Sequence, residues 1–256
     1  MASVSIEIAF LLLAAGVVAG ALNAVAGGAT FFTFPALLLA GLPPLVANAT
    51  NFVALVPSNF AALPAFRPEL KKLGKELVMP MTYGALGGLL GALMLIYLGG
   101  DIFASAVPFL MAFATILFAA APYIRNAVRQ PKHGDPKRTS PTAMFLLFGF
   151  SVYGGYFGAG LGQIILAALT LNGYDDFHVT NALKNGVIAA ISLLSVAVYG
   201  LSNSVSWPHA LIMMVGATIG GFLGGAVSKF VPQQALRVSV IVFGIFLTTY
   251  YFIASL

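Results

Sequence analysis

The sequence predicts an all-α membrane protein built from two related halves. Of its 256 residues, 60% are hydrophobic and only 7% are charged, whereas a soluble domain carries about 25% charged residues. Apolar segments recur along the whole chain, and many exceed 18 residues, the length expected of a transmembrane helix. The order of these segments repeats at an offset of about 132 or 133 residues. Each half is expected to hold about four full transmembrane helices and one short broken or re-entrant helix after a glycine-rich loop.

Ten apolar segments account for most of the chain. They are predicted at 5–25, 29–42, 45–65, 77–98, 102–122, 142–160, 162–172, 178–200, 208–228 and 235–255. At about 1.5 Å rise per residue, the second and the seventh reach only ~20 Å, short of the ~30 Å hydrocarbon core. Each follows a glycine cluster, "AVAGGATFF" at 24–32 and "GAGLGQII" at 158–165. We therefore expect a broken or re-entrant helix at these two places.

Two pairs of short motifs carry the internal repeat. "VANATN" (46–51) corresponds to "VTNALK" (179–184), and "GGLLG" (87–91) corresponds to "GGFLG" (220–224). Repeats of this kind are typical of secondary transporters. The predicted divisions are a first transmembrane repeat at 1–122, a basic cytoplasmic linker at 123–141 and a second transmembrane repeat at 142–256.

Basic residues change places between the halves. The loop after the third segment holds four, Arg67, Lys71, Lys72 and Lys75, and its counterpart at 200–209 holds no lysine or arginine. The loop after the fourth segment, 99–101, has none either, whereas its counterpart at 229–237 has Lys229 and Arg237. Since basic loops remain in the cytoplasm, equivalent loops are predicted to face opposite sides, which makes the repeat an inverted one.

The orientation of the whole chain follows from these loops. The long linker is basic as well, with Arg125, Arg129, Lys132, Lys137 and Arg138. The linker is then cytoplasmic, both termini lie outside and each half crosses the membrane five times, although a re-entrant hairpin would change that count. A signal peptide is not favoured, because residues 1 to 10 contain no lysine or arginine.

Several classes of function lack the residues that they need. The chain has no cysteine, which excludes disulfides and thiol chemistry. It has no P-loop, no HExxH and no serine elbow, so we expect no enzyme, no cofactor and no metal site. Its net charge of +5 lies mostly in loops and does not imply binding to nucleic acid. No Asp or Glu lies in the middle of an apolar segment, where carriers driven by protons or sodium often have one.

The glycine clusters are the first candidate site. Gly27, Gly28, Gly160 and Gly162 interrupt apolar sequence just before the two short helices. A broken helix there would direct free N–H groups and a positive dipole end at the membrane interior, which favours an anion. Asn23 and Gln163 stand beside the clusters as further donors. The alternative is that these glycines only permit close packing or a turn.

A polar stripe at the start of the eighth segment is the second candidate site. Lys184 shares a helical face with Asn181 and Asn185, and Asn48 and Asn51 stand at the equivalent places in the first half. A lysine at depth should face protein or water rather than lipid, and its role would be a fixed positive charge for an anionic substrate. The alternative is a lysine that snorkels to the interface.

Two long stretches resemble the sulfite exporter TauE/SafE family, also called the toluenesulfonate uptake permeases. They are "AGALNAVAGGATFFTFPALLLAGLPPLVANATN" (19–51) and "FGAGLGQIILAALTLNGYDDFHVTNALKN" (157–185). The resemblance covers nearly the whole chain and implies transport of small sulfur-containing anions such as sulfite, sulfonates or sulfoacetate. The positions that match the family's motifs are Gly27, Gly28, Asn48, Asn51, Gly160, Gly162, Asn181, Lys184 and Asn185.

These observations together predict a secondary transporter. It would move a small anion by alternating access, with export as the expected direction, in the inner membrane of a prokaryote. Its partners would be the anion and the lipid bilayer, and a homo-oligomer is left open. An anion channel and a membrane scaffold or sensor subunit without transport remain the alternatives.

Overall fold

Helices form almost the whole of the described structure. A computed structural model describes residues 4–25, 28–61, 63–128, 141–172, 174, 176–227 and 233–254. The first half contains α1 (Ile6–Val25), α2 (Thr30–Leu39), α3 (Pro44–Ala61), α4 (Arg67–Leu73) and α5 (Val78–Val128). The second half contains α6 (Pro141–Tyr156), α7 (Leu161–Leu171), α8 (Phe177–Leu201), α9 (Trp207–Val227) and α10 (Gln233–Ala254). The prediction of an all-helical chain is confirmed.

The longest helix, α5, consists of two arms. Its 51 residues are interrupted at Gly99, whose φ of 84° and ψ of 173° are not helical. Glycine adopts such a positive φ without the steric cost that a Cβ would add. The sequence predicts two segments here, 77–98 and 102–122, and Gly99 is the point at which they join. The loop before α5 adds the short helix α4, flanked by 3₁₀ turns at Leu63–Phe66 and Gly74–Leu77.

The outer surface of the helices is apolar enough for lipid. Within the described residues, the stretches long and apolar enough to cross a membrane are Ile6–Asn23, Arg67–Ala120 and His178–Leu201, with shorter apolar helices beside them. Large apolar side chains are exposed on several helices, for example Phe10, Phe109, Phe222 and Phe246. Extensive exposed apolar surface of this kind marks a membrane-facing protein.

Helices α3 and α8 cross in opposite directions at the centre of the fold. The amide of Asn59 donates to the hydroxyl of Ser192 at 3.0 Å. Seven residues earlier in α3, the ring of Phe52 packs edge-on against Tyr199, seven residues later in α8, with centroids 5.4 Å apart. Because the positions advance along one helix and retreat along the other, the two helices are antiparallel.

The seventh predicted segment turns back beside the sixth. The side-chain amide of Asn172, just after α7, donates to the carbonyl of Ala143 near the start of α6 at 3.1 Å. A Cβ on Gly154 would lie 2.6 Å from Leu161, so the tip of this hairpin lies between those residues. The tip is therefore roughly 20 Å from the level of Ala143. This geometry favours the re-entrant alternative over a fifth crossing in the second half.

Helices from one half pack closely on helices from the other. A Cβ on Gly87, in the first arm of α5, would lie 2.7 Å from the carbonyl oxygen of Phe148 in α6, and Gly220 in α9 approaches the carbonyl of Val17 in α1 even more closely. Backbones can come this near only where side chains are small. The small residues of "GGLLG" and "GGFLG" therefore serve close helix packing at Gly87, Gly91 and Gly220, and both contacts join one half to the other.

The start of α8 is capped by Asp176. Its carboxylate accepts from the backbone N–H groups of His178 at 2.9 Å and Val179 at 3.2 Å. These two hydrogen bonds hold the pKa of Asp176 below its ordinary value. A carboxyl whose pKa is lowered by folding stabilises the folded state above its unfolded pKa of about 3.9 and loses that contribution as pH falls.

We expect Asp176→Asn to keep the geometry of this cap and to lose its charge. The melting temperature of the purified wild type should exceed that of Asp176→Asn at pH 7, and the difference should shrink below pH ~4, near the ordinary pKa of an aspartate. The same measurement on Asp101→Asn, an exposed carboxylate in α5, serves as the control. A difference that is constant across this pH range would contradict the assignment.

Candidate functional site

The two glycine loops meet at the side chain of Phe118. This residue lies in the second arm of α5 and is completely buried. A Cβ on Gly28 would lie 3.3 Å from Cε2 of Phe118, and a Cβ on Gly160 would lie 3.7 Å from Cδ2 of the same ring. Both glycines have left-handed backbones, with φ of 91° and 70°. The fold therefore brings two sequence-predicted glycines, 132 residues apart, to one aromatic ring.

Each loop leads directly into the N-terminus of a short helix. Gly28 precedes α2, and Gly160 is the N-cap of α7. Among the described residues, the N–H groups of Thr30 and Gly162 donate no backbone hydrogen bond outside their helices, while the residues that follow them bond back into the turns. Unpaired N–H groups and the positive end of the helix dipole suit a bound anion. Gly27 lies outside the described residues.

Gln163 lies one residue beyond Gly162, in the first turn of α7. It is half-buried, and its backbone N–H donates to the carbonyl of Gly160 at 3.1 Å. Its position beside the loop is the one that the sequence predicts.

Asn51 is tied to the start of α2. Its amide donates to the hydroxyl of Thr30 at 3.3 Å, and its side-chain oxygen accepts from the hydroxyl of Thr33. All three side chains are buried. Asn51 thereby fixes the N-terminus of α2 against α3, so a contribution to anion binding would be made through the helix it positions.

Asn48 and Asn23 also bridge elements. The amide of Asn48 donates to the carbonyl of Tyr156 at the end of α6, at 2.9 Å, and its own side-chain oxygen is buried without a partner among the described residues. The amide of Asn23 in α1 reaches the hydroxyl of Ser58 in α3 at 3.4 Å. Both asparagines join helices near the glycine loops.

The stripe on α8 divides into satisfied and unsatisfied groups. Thr180, Ser192 and Ser195 are buried and hydrogen-bonded to protein. In contrast, Asn181, Lys184 and Asn185 are only half-buried, and none of their side chains has an ion pair or a hydrogen bond to another described residue. A cationic group and two amides are thus left available on one helical face.

The polar groups of the two halves lie at opposite ends of the crossing. Asn51 stands eight residues before Asn59, and Lys184 stands eight residues before Ser192. Because α3 and α8 are antiparallel, Asn51 and Lys184 lie on opposite sides of the Asn59–Ser192 contact, each eight residues from it. At ~1.5 Å per residue, Asn51 and Lys184 are therefore roughly 24 Å apart along the helices. The structure brings the glycine loops together at Phe118 and places Asn51 beside the first of them.

Residues that the sequence analysis did not single out complete the site. Thr30 and Thr33 hold Asn51, and the hydroxyl of Tyr199 donates to the carbonyl of Gly155. The spacing of the two threonines, directly after a glycine cluster, is a signal that could have identified them. Phe118 offers no such signal, because it is one of 21 phenylalanines in an apolar chain.

Comparison with known proteins gives consistent relatives. The family model described as "Sulfite exporter TauE/SafE" matches residues 12–251. A "Probable membrane transporter protein" of Haemophilus influenzae is 28% identical over 254 residues, covering 96% of this chain and 94% of the relative. The "Probable membrane transporter protein ORF9" of a Sinorhizobium species is 30% identical over 226 residues, covering 85% and 81%. The "Probable membrane transporter protein YfcA" of Escherichia coli K12 is 27% identical over 229 residues, covering 88% and 82%. No solved structure matches the chain.

Proposed function

Because this chain belongs to the sulfite exporter TauE/SafE family, we propose that it is a secondary transporter of small sulfur-containing anions that works by alternating access. Sulfite, short sulfonates and sulfoacetate are the proposed substrates, and export is the proposed direction. The cell inner membrane of a prokaryote is the proposed location. The chain is an integral membrane protein of a transporter family, and this supports the proposal.

The meeting of the two glycine loops at Phe118 is the observation that carries this proposal. Two helix N-termini supply donors and a positive potential in a buried place, because the N–H groups of Thr30 and Gly162 have no backbone partner outside their helices among the described residues. A sulfur oxyanion has several acceptor oxygens and can take hydrogen bonds from both loops at once. Lys184 has no ion pair with another described residue. It supplies a positive charge on the path that the anion takes from one side of the membrane to the glycine loops.

We further propose that the two halves form an inverted repeat. Its support is the set of contacts between equivalent positions. Asn59 and Ser192 are 133 residues apart and are bonded to each other where the antiparallel α3 and α8 cross. In addition, α1 packs on α9 while α6 packs on the first arm of α5, so the first helix of each half joins the fourth predicted segment of the other.

The proposed topology can be tested by labelling single cysteines in this cysteine-free chain. We expect Lys72→Cys, on the exposed face of α4, to be protected from a non-permeant reagent in whole cells, and Leu201→Cys, exposed at the end of α8, to be labelled. Lys229→Cys, which lies outside the described residues, should behave like Lys72→Cys, since the basic loops are proposed to share the cytoplasmic face. A re-entrant hairpin in the second half would leave three crossings there, still an odd number, so this expectation is the same for either count.

Labelling of Lys72→Cys or Lys229→Cys in intact cells would contradict the inverted arrangement. Permeabilised cells provide the control, because all three cysteines should react once both faces are accessible.

Transport itself is tested with purified protein in liposomes loaded with sulfite. A transporter gives saturable counterflow of labelled sulfite, an anion channel gives current without exchange, and a scaffold gives neither. A panel of sulfur oxyanions and carboxylates of similar size then identifies the substrate class.

A further inference from the structure

Phe118 fills the space between the two helix N-termini. The same edge of its ring, Cδ2 and Cε2, faces Gly160 and Gly28. On the side of α2 the ring packs edge-on against Phe31, with centroids 6.1 Å apart. On the side of α7 its Cβ lies 3.9 Å from the position of a Cβ on Gly160. An anion that accepts hydrogen bonds from both loops would therefore touch this ring.

The ring of Phe118 suits the oxygens of an organic sulfonate better than the carbon group on its sulfur. The edge of an aromatic ring carries the positive part of its quadrupole, so oxygens of an oxyanion are tolerated beside it. A carbon substituent on the sulfur, in contrast, would need the volume that the ring already occupies. Interiors are packed closely enough for the size of one side chain to decide what else fits.

We propose that Phe118 is a specificity-determining residue that limits the organic group of the substrate. This inference rests on the proposed function, since it concerns the anion that the two glycine loops bind. With phenylalanine in place, the site accepts sulfite and methanesulfonate and rejects sulfonates with a bulky group. Shortening the side chain to alanine opens a space of about the size of the ring that it removes, which an aryl group can occupy.

The expected effect is a change in the ratio of the affinity for benzenesulfonate to the affinity for sulfite. One methylene in an apolar pocket discriminates by about 10- to 200-fold, so Phe118→Ala should raise the affinity for benzenesulfonate relative to sulfite by at least ~10-fold. Phe118→Trp should lower the same ratio. Phe103→Ala is the matched control, because Phe103 lies in the same arm of α5, is equally buried and packs on Phe34 and Phe157 rather than on Gly28 or Gly160.

The experiment measures binding of sulfite, methanesulfonate and benzenesulfonate to purified wild type and variants in lipid nanodiscs. A raised ratio in Phe118→Ala together with an unchanged ratio in Phe103→Ala supports the proposal. An unchanged ratio in Phe118→Ala, with sulfite still bound, overturns it and leaves the proposed function intact. If none of the three anions binds to the wild type, the proposed function fails and this inference fails with it. Should Phe118→Ala not fold, Phe118→Leu decides by the same ratio.

Discussion

Valine at position 160 or at position 28 is expected to abolish anion binding and transport while the protein remains in the membrane. Both glycines have a left-handed backbone, which costs an ordinary L-residue about 1–2 kcal/mol and a β-branched residue more. At Gly28 a side chain would also meet Val240, Phe118 and Phe31 at 3.2–3.4 Å. The loop must therefore move, and the N–H groups that it presents move with it.

The matched control for these variants is Gly41→Val. Gly41 has an equally left-handed φ of 85°, but a Cβ there would have nothing within 4 Å. It lies in the turn between α2 and α3, away from the glycine loops. If Gly41→Val binds sulfite normally while Gly28→Val and Gly160→Val do not, the loss belongs to the site and not to backbone strain in general. Normal uptake and export in both loop variants would show that these glycines serve packing alone.

Replacement of Lys184 by alanine is expected to weaken the binding of a sulfur oxyanion by about 10- to 150-fold. The physical basis is the hydrogen bond that Lys184 would donate to the anion at its own position on α8, on the route to the glycine loops. A hydrogen bond to a charged group is worth about 1.5–3 kcal/mol, with 1.4 kcal/mol equal to a factor of ten. Lys184 is half-buried on α8 and forms no ion pair with another described residue, so a bound anion would be its counter-charge. Lys184→Arg should recover only part of the affinity, because its guanidinium is a planar fork rather than a compact point charge.

Binding of sulfite and of a short sulfonate to purified wild type, Lys184→Ala and Lys184→Arg measures this effect. Lys75→Ala is the control, since Lys75 is exposed in the loop before α5 and a non-specific loss of positive charge would affect it equally. Unchanged affinity in a folded Lys184→Ala protein would leave the lysine that snorkels to the interface as the better interpretation.

The sequence predicts the helices of this fold better than it predicts how they meet. Apolar runs and glycine breaks place the helix ends within a few residues, because burial in lipid leaves the backbone no alternative to a helix. The return of α7 beside α6 is seen in the hydrogen bond between Asn172 and Ala143 and in the close approach of Gly154 and Leu161. Periodicity carries no information on such a contact, and a short apolar segment is compatible with either a crossing or a hairpin.

The candidate site is predictable from the sequence only in part. The positive φ of Gly28 and Gly160 is what their residue type and position suggest, and Lys184 stands out because charges are rare in this chain. The partners of Asn51, however, could not be derived, since Thr30 and Thr33 belong to a different helix. That Phe118 adjoins both loops depends on the course of α5 beyond its break at Gly99, which no local pattern determines.

The hydrogen bond between Asn59 and Ser192 also bears on ancestry. In the inverted repeat proposed above, these two side chains occupy equivalent positions 133 residues apart, and a residue meets its own counterpart only on a twofold axis. Under that proposal, a half-length ancestor would have made this contact with a second copy of itself, inserted in the membrane the other way up. Such a pair of identical subunits must carry the same side chain on both sides of the axis. Fusion into one polypeptide would have removed that requirement, and the present bond joins an amide to a hydroxyl.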